Sequence, residues 1–184
     1  ELYYHIHPQR ATDQYTRVDL LRTLRNLDYE IGSGCMIGIP GQTYENLAED
    51  LLLFRELDLD MIGVGPFIAH PDTPLGKEIE THTLHEEDQV PNSEHMTYKV
   101  IALARILCPD ANIPSTTALA TLNKPEGREY GLERGANVVM PNVTPAHYRQ
   151  CYEIYPAKAC ITEDAAACRE CMKNRIRNIG REIG

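Results

Sequence analysis

Four times along this chain, a segment whose apolar residues recur at helical spacing is followed by a short apolar run that stops at glycine, proline or hydroxyl residues. Leu20, Leu21, Leu24 and Leu27, with Thr16 and Asp19 near the start, predict a helix over residues 12–27. Residues 29–39 read as a buried strand, 44–57 as a helix with Leu47, Leu51, Phe54 and Leu57 on one face, and 60–67 as a second strand. A polar segment, 77–93, precedes a helix over 96–107 with Val100, Leu103, Ala104 and Leu107 facing inward. Ser115-Thr116-Thr117 reads as a short strand, 126–134 as a helix closing at Gly135, and 136–140 as a strand stopped by Pro141. Helices over 145–152 and 167–179 complete the order. Such alternation demands parallel strands with helices outside them.

Four strands cannot close a barrel of eight, so the expected architecture is α/β: half of a barrel, or one side of an open sheet. Function then gathers at the carboxyl ends of the strands. Those ends are 37–42, 66–73, 116–121 and 140–144. In the first, Gly38-Ile39-Pro40-Gly41-Gln42-Thr43 lets backbone approach a ligand, and Thr43 is placed to cap the next helix. An ordinary strand-to-helix turn has the same composition. In the second, Pro66, Pro71 and Pro74 stiffen a loop carrying Phe67, Ile68, His70 and Thr73, which suits a planar, partly apolar ligand such as adenine. His70 there reads as an acid, a base, a polar clamp or a plain hydrogen-bonded neighbour. Thr116, Thr117 and Thr121 suit a carboxylate or another small anion, or a helix cap. Arg17, near a helix start where a cation is disfavoured, is explained by a ligand carboxylate or by exposure.

The net charge of -9 and pI near 5.2 argue against nucleic acid or an anionic membrane as the main partner. Basic residues near the end, Arg169, Lys173, Arg175, Arg177 and Arg181, fit a solvated helix face. No apolar run reaches the roughly 18 to 20 residues of a spanning helix, no signal-like start is seen, and the expected location is the cytoplasm. The opening Glu1-Leu2-Tyr3-Tyr4 reads as the continuation of something longer.

Of the six cysteines, Cys160, Cys168 and Cys171 are crowded together, while Cys35, Cys108 and Cys151 lie in apolar settings. The spacing Cys160-x7-Cys168-x2-Cys171 fits an iron–sulfur cluster with an open position, a structural zinc, or three unligated thiols. His82 and His85, among acidic residues, fit a solvated loop better than a metal site. No Ser/His/Asp order, paired-carboxylate motif or Gly-Lys-Ser phosphate loop is present.

Three stretches together, Ser33-Gly34-Cys35-Met36-Ile37-Gly38-Ile39-Pro40-Gly41-Gln42-Thr43, Gly65-Pro66-Phe67-Ile68-Ala69-His70-Pro71-Asp72-Thr73-Pro74-Leu75 and Ala136-Asn137-Val138-Val139-Met140-Pro141-Asn142, resemble the carboxyl-terminal half of a radical S-adenosylmethionine (SAM) enzyme. The likeness is to FeFe-hydrogenase maturases of the HydE type, relatives of biotin synthase, and runs over nearly the whole chain outside 77–93. It implies a (β/α)8 barrel of TIM type in which a 4Fe-4S cluster, held by a Cys-x3-Cys-x2-Cys loop, cleaves SAM to a 5'-deoxyadenosyl radical. That loop does not occur here. Residues 1–155 would then be half a barrel with about four parallel strands, and 156–184 a helical cysteine-containing tail.

By the same resemblance, Arg17 would meet the SAM carboxylate, Ile39, Phe67 and Ile68 would border its adenine, and Met140 would share that cavity. Thr116 and Thr117 match an interior anion-binding pair, and Tyr152 and Tyr155 match aromatics of the deep cavity. Cys160, Cys168 and Cys171 match an accessory cluster of some members, typically 2Fe-2S. The implied activity is assembly of the hydrogenase diiron site (the H-cluster), with a small sulfur-containing or organometallic substrate, companion maturases, and an electron donor such as ferredoxin or flavodoxin. Biotin-synthase-like sulfur insertion, a methylornithine-type rearrangement, and a non-catalytic iron–sulfur or zinc carrier are the alternatives.

Overall fold

Helix starts in this chain are written by side chains that accept from the first free backbone N–H groups. The computed structural model describes residues 2–7, 15–78, 88–154, 156–160 and 162–184. After a short α1 (Leu2–Ile6), α2 (Arg17–Asn26) opens on a reciprocal cap. Thr16 Oγ1 accepts from Asp19 N at 3.1 Å, and the Asp19 carboxylate accepts from Thr16 N at 3.0 Å. Strand β1 (Gly32–Ile37) follows, then α3 (Tyr44–Glu56), capped in the same way by Thr43 and Asn46. Strand β2 (Met61–Pro66) lies parallel to β1, with Gly32 opposite Met61 and Ile37 opposite Pro66.

Beyond β2 come α4 (Pro74–Glu78), α5 (Glu94–Leu107), α6 (Thr117–Leu122), α7 (Gly127–Glu133), α8 (Ala146–Arg149) with a 3-10 turn over Gln150–Tyr152, and α9 (Ala165–Asn178). The third and fourth expected strands are single parallel bridges, Met61 with Asn112 and Pro114 with Val138. They continue the order begun by β1 and β2: Ile62 N donates to Asn112 O at 2.9 Å, and Ser115 N donates to Val138 O at 2.9 Å. Among the described residues the regular sheet is therefore two-stranded, where four strands were expected. The reason is local. Pro114 has no N–H to donate, and the Ile113 N–H is taken at 2.7 Å by the Asn137 side chain. Nor do Thr116 and Thr117 end a strand: Thr116 caps α6 and Thr117 is its first residue.

Ile37, Ile62, Val64, Ile101, Ile113 and Leu119 are fully buried between the parallel segments and the helices. Leu47, Leu51, Phe54 and Leu57 face this core as the spacing predicts. On α5 the inward face is Tyr98, Val100, Ile101 and Ala104, and Leu103 is exposed. On α2 the expected apolar stripe is open, with Leu20, Leu24 and Leu27 exposed and only Val18 and Leu21 packed against the core. β1 is also mostly exposed.

The exit from β1 is knitted by amides. Gly38 and Gly41 hold φ of 81° and 86°, the left-handed region that glycine adopts freely. Gln42 is 2% exposed; its Oε1 accepts from Gly38 N at 2.6 Å and its Nε2 donates to Met36 O at 3.0 Å. Gln89 accepts from Gly41 N at 2.8 Å and donates to Ile39 O at 3.0 Å. Asn92 Nδ2 donates to Phe67 O at 3.2 Å, which ties the exit of β2 to the same segment. The end of the expected solvated loop 77–93 is thus structural, with Val90 1% exposed. His82 and His85 lie outside the described residues. Among those described, no helix is long and apolar enough to cross a membrane.

A Cβ at residue 38 would fall 2.3 Å from Asn92 N and Cα. Gly38→Ala therefore combines a strained φ with a backbone clash and is expected to cost about 3 kcal/mol or more in urea unfolding. Asp50, on α3, has its pKa raised to about 6 by burial, with Glu49 adding to the effect. The native state keeps a proton that the unfolded chain releases, so stability falls as pH rises from the usual carboxylate range to about 6 and stays lower above it. Asp50→Asn should be more stable than the parent by about 1 kcal/mol at pH 7.5, after allowance for solvent screening, with the difference vanishing near pH 4. Urea melts of both proteins across that range measure it.

Candidate functional site

Two cavities lie where the parallel segments end. The larger, about 540 Å³, is lined by Met36 from β1, Gly65 from β2, Phe67, Ile68 and His70 from the loop after β2, and Thr116 and Thr117 at the start of α6. Its walls are chiefly apolar. The loop behind Phe67 is fixed by its own turn: His70 O accepts from Thr73 Oγ1 at 2.8 Å, and Gly76 N donates to Thr73 Oγ1 at 3.0 Å. Gly76 is required there, since a Cβ would lie 2.0 Å from His70 O. Apolar walls with a few fixed polar groups, at this volume, suit a nucleoside-sized ligand.

The smaller cavity, about 220 Å³, has Thr117, Arg128, Met140, Arg149, Tyr152, Lys158 and Cys160 in its lining. Thr117 and Lys158 border both cavities. Among the described residues, three cations and no carboxylate face the smaller one, within a chain of net charge -9. The buried Arg128 guanidinium donates weakly, to Thr117 Oγ1 at 3.4 Å and towards Cys160 Sγ at 3.6 Å. Arg149, also buried, donates to the carbonyls of Thr144 and Asn142 at 2.7 Å each, Cys160 at 3.2 Å, and Glu163. It fastens the tail to the loop that follows the fourth parallel segment. Burial lowers the pKa of Lys158, whose Nζ donates to Tyr152 O at 2.9 Å and lies 4.6 Å from that ring's centre.

The structure thus gathers Phe67, Ile68 and Thr116 at one cavity, Met140, Tyr152 and Cys160 at the other, and Thr117 at both. Arg17 is exposed on the first turn of α2 and borders neither. Ile39 is buried and is among the lining of neither cavity. Tyr155 lies outside the described residues.

The cysteines do not converge. Cys168 is buried and accepts from Asn142 N at 3.3 Å, Cys160 sits beside Arg128, and Cys171 is exposed beside Arg175. Residues three apart on a helix differ by about 60° in direction; α9 turns Cys168 and Met172 inward and leaves Cys171 in solvent. Among the described residues, no group of three His, Cys, Asp or Glu is arranged to hold a metal ion. The thiols present do not fit an accessory cluster.

Sequence reasoning missed Met36, Arg128, Arg149 and Lys158. Lys158 carried a signal, being the only Lys or Arg between Arg149 and Arg169. Arg128, within a charged helix, gave none.

No family model matches the chain. Over 168 residues, 91% of its length, it is 48% identical to the FeFe-hydrogenase maturase subunit HydE of Thermotoga maritima. The tRNA-2-methylthio-N(6)-dimethylallyladenosine synthases of Vibrio cholerae and Vibrio parahaemolyticus are 30% and 27% identical over 52% and 53% of the chain. The chain spans less than half the length of these curated relatives, 45% of the first and 22% of each of the others. Across that 91% of its residues, this chain is a homologue of the FeFe-hydrogenase maturase subunit HydE.

Proposed function

We propose that the protein carrying these residues is a radical SAM enzyme acting in maturation of the FeFe-hydrogenase diiron site. The 48% identity to HydE over 91% of the chain carries this reading. The parallel order of β1, β2 and the two bridged segments supports the carboxyl-terminal half of a (β/α)8 barrel over residues 1–155, with 156–184 as its tail. The chain contains no Cys-x3-Cys-x2-Cys run, so the 4Fe-4S ligands belong to the remainder of a HydE-length protein.

A reduced 4Fe-4S cluster, when bound, supplies the electron for cleavage of SAM to a 5'-deoxyadenosyl radical. The work of the present residues is to bind, orient and exclude water. Phe67 and Ile68 wall the larger cavity and would lie against adenine, while Ile39 is buried outside that lining. Arg17, exposed outside both cavities, and Met140, which lines the smaller one, do not touch the wall formed by Phe67 and Ile68 and are given no part in holding the nucleoside there. Apolar walls suit a radical, which must be kept from water and oxygen. Thr116 and Thr117, together with Arg128 and Lys158, favour a small anionic group on the substrate, in keeping with a sulfur-containing or organometallic precursor. Companion maturases and an electron donor such as ferredoxin or flavodoxin would act with it, in the cytoplasm.

Anaerobic reconstitution of the full-length protein with iron and sulfide, reduction, and addition of SAM should yield 5'-deoxyadenosine by chromatography. A reconstituted, reduced protein that binds SAM and forms none overturns the reading. Phe67→Asp should weaken SAM binding by about tenfold or more through the buried charge. Replacing Cys160, Cys168 and Cys171 together by Ser should leave product formation within about twofold, a change equivalent to less than about 0.5 kcal/mol.

A further inference from the structure

The His70 ring is tethered through Nδ1, which also lies 3.8 Å from Asp72 Oδ2. Its Nδ1 accepts a hydrogen bond from Asp72 N at 3.2 Å, and a neutral imidazole that accepts at Nδ1 carries its proton on Nε2. The main chain on either side cannot drift. His70 O accepts from Thr73 N at 3.1 Å and from Thr73 Oγ1 at 2.8 Å, Pro71 follows it directly, and Gly76 packs against its carbonyl. The ring is 27% exposed and borders the larger cavity beside Phe67 and Ile68. Among the described residues, His70 and Lys158 are the titratable ones of that lining, and Lys158 already spends a donor on Tyr152 O. The Thr73 hydroxyl both donates and accepts within its turn, while Thr116 Oγ1 accepts in the α6 cap and Thr117 Oγ1 accepts from Arg128.

We propose that His70 is a specificity-determining residue for the nucleoside, donating from Nε2–H to a ring nitrogen of the purine held against Phe67 and Ile68. This rests on the SAM reading above and extends it: apolar walls accept any flat ring, whereas a fixed donor selects one with an acceptor at its edge. A donor left facing a C–H loses its partner inside the cavity, and the discrimination equals that loss.

Calorimetric titration of the reconstituted full-length enzyme with 5'-deoxyadenosine and its 1-deaza, 3-deaza and 7-deaza analogues tests it. The parent enzyme should bind one analogue about five- to tenfold more weakly than 5'-deoxyadenosine. His70→Phe should bind 5'-deoxyadenosine weakly by the same factor and bind all four compounds alike. His70→Gln, which restores an amide N–H at similar reach, should recover most of the affinity and of the discrimination. Equal binding of all four by the parent overturns the proposal without recourse to any variant, and so does unchanged affinity in His70→Phe. If the parent binds none of the four, the nucleoside reading itself fails, and the role of His70 with it.

Discussion

A buried amide must find partners, and that of Gln42 finds them in the turn that it supports. Both ends of the side chain are engaged, one by Gly38 N and the other by Met36 O, so the bend after β1 and the amide are stable only together. The rest of the rim is assembled on that bend. Val90 N donates to Gln42 O, Gln89 grips Ile39 and Gly41, and Asn92 reaches Phe67 O. The wall of the larger cavity is therefore positioned by main-chain hydrogen bonds relayed through three carboxamides. Such a wall has few soft torsions, which is what a site needs when a flat ligand must be held at fixed height.

The second cavity is organised by charge. Arg149 is held by four carbonyls and acts as a staple, Arg128 makes only long contacts, and Lys158 donates to Tyr152 O. No carboxylate among the described lining residues neutralises them. In an acidic chain, that concentration of positive potential is local and directed inward. It also accounts for the tail's position: residues 156–160 and the start of α9 are drawn over the cavity through Arg149 and through Asn142, whose N–H meets Cys168.

Much of this was legible in the residues. Thr43 announced its helix because a hydroxyl before an apolar period has few other uses, whereas the helix expected from residue 12 begins only after its cap at Thr16. Leu47, Leu51, Phe54 and Leu57 gave the buried face of α3, and the parallel order followed from alternation. What escaped depends on long-range pairing. Nothing in Asn112-Ile113-Pro114 tells that Asn137 will replace a ladder bond, and nothing in Gln89 or Asn92 names the carbonyls they meet. Apolar spacing on α2 predicted a buried stripe, but periodicity reports which residues share a face and not whether a neighbour covers it. The cysteine spacing likewise allowed convergence without compelling it, and the direction of α9 decided otherwise.

Strand β1 pairs with β2 on one side only among the described residues, and Leu20, Leu24 and Leu27 of α2 stand exposed. A row of unmatched main-chain donors and acceptors is adhesive towards any extended peptide, and an uncovered apolar stripe is a seam of its own. Material prepared as these residues alone would be prone to self-association through that seam, and its colloidal behaviour would depend on protein concentration.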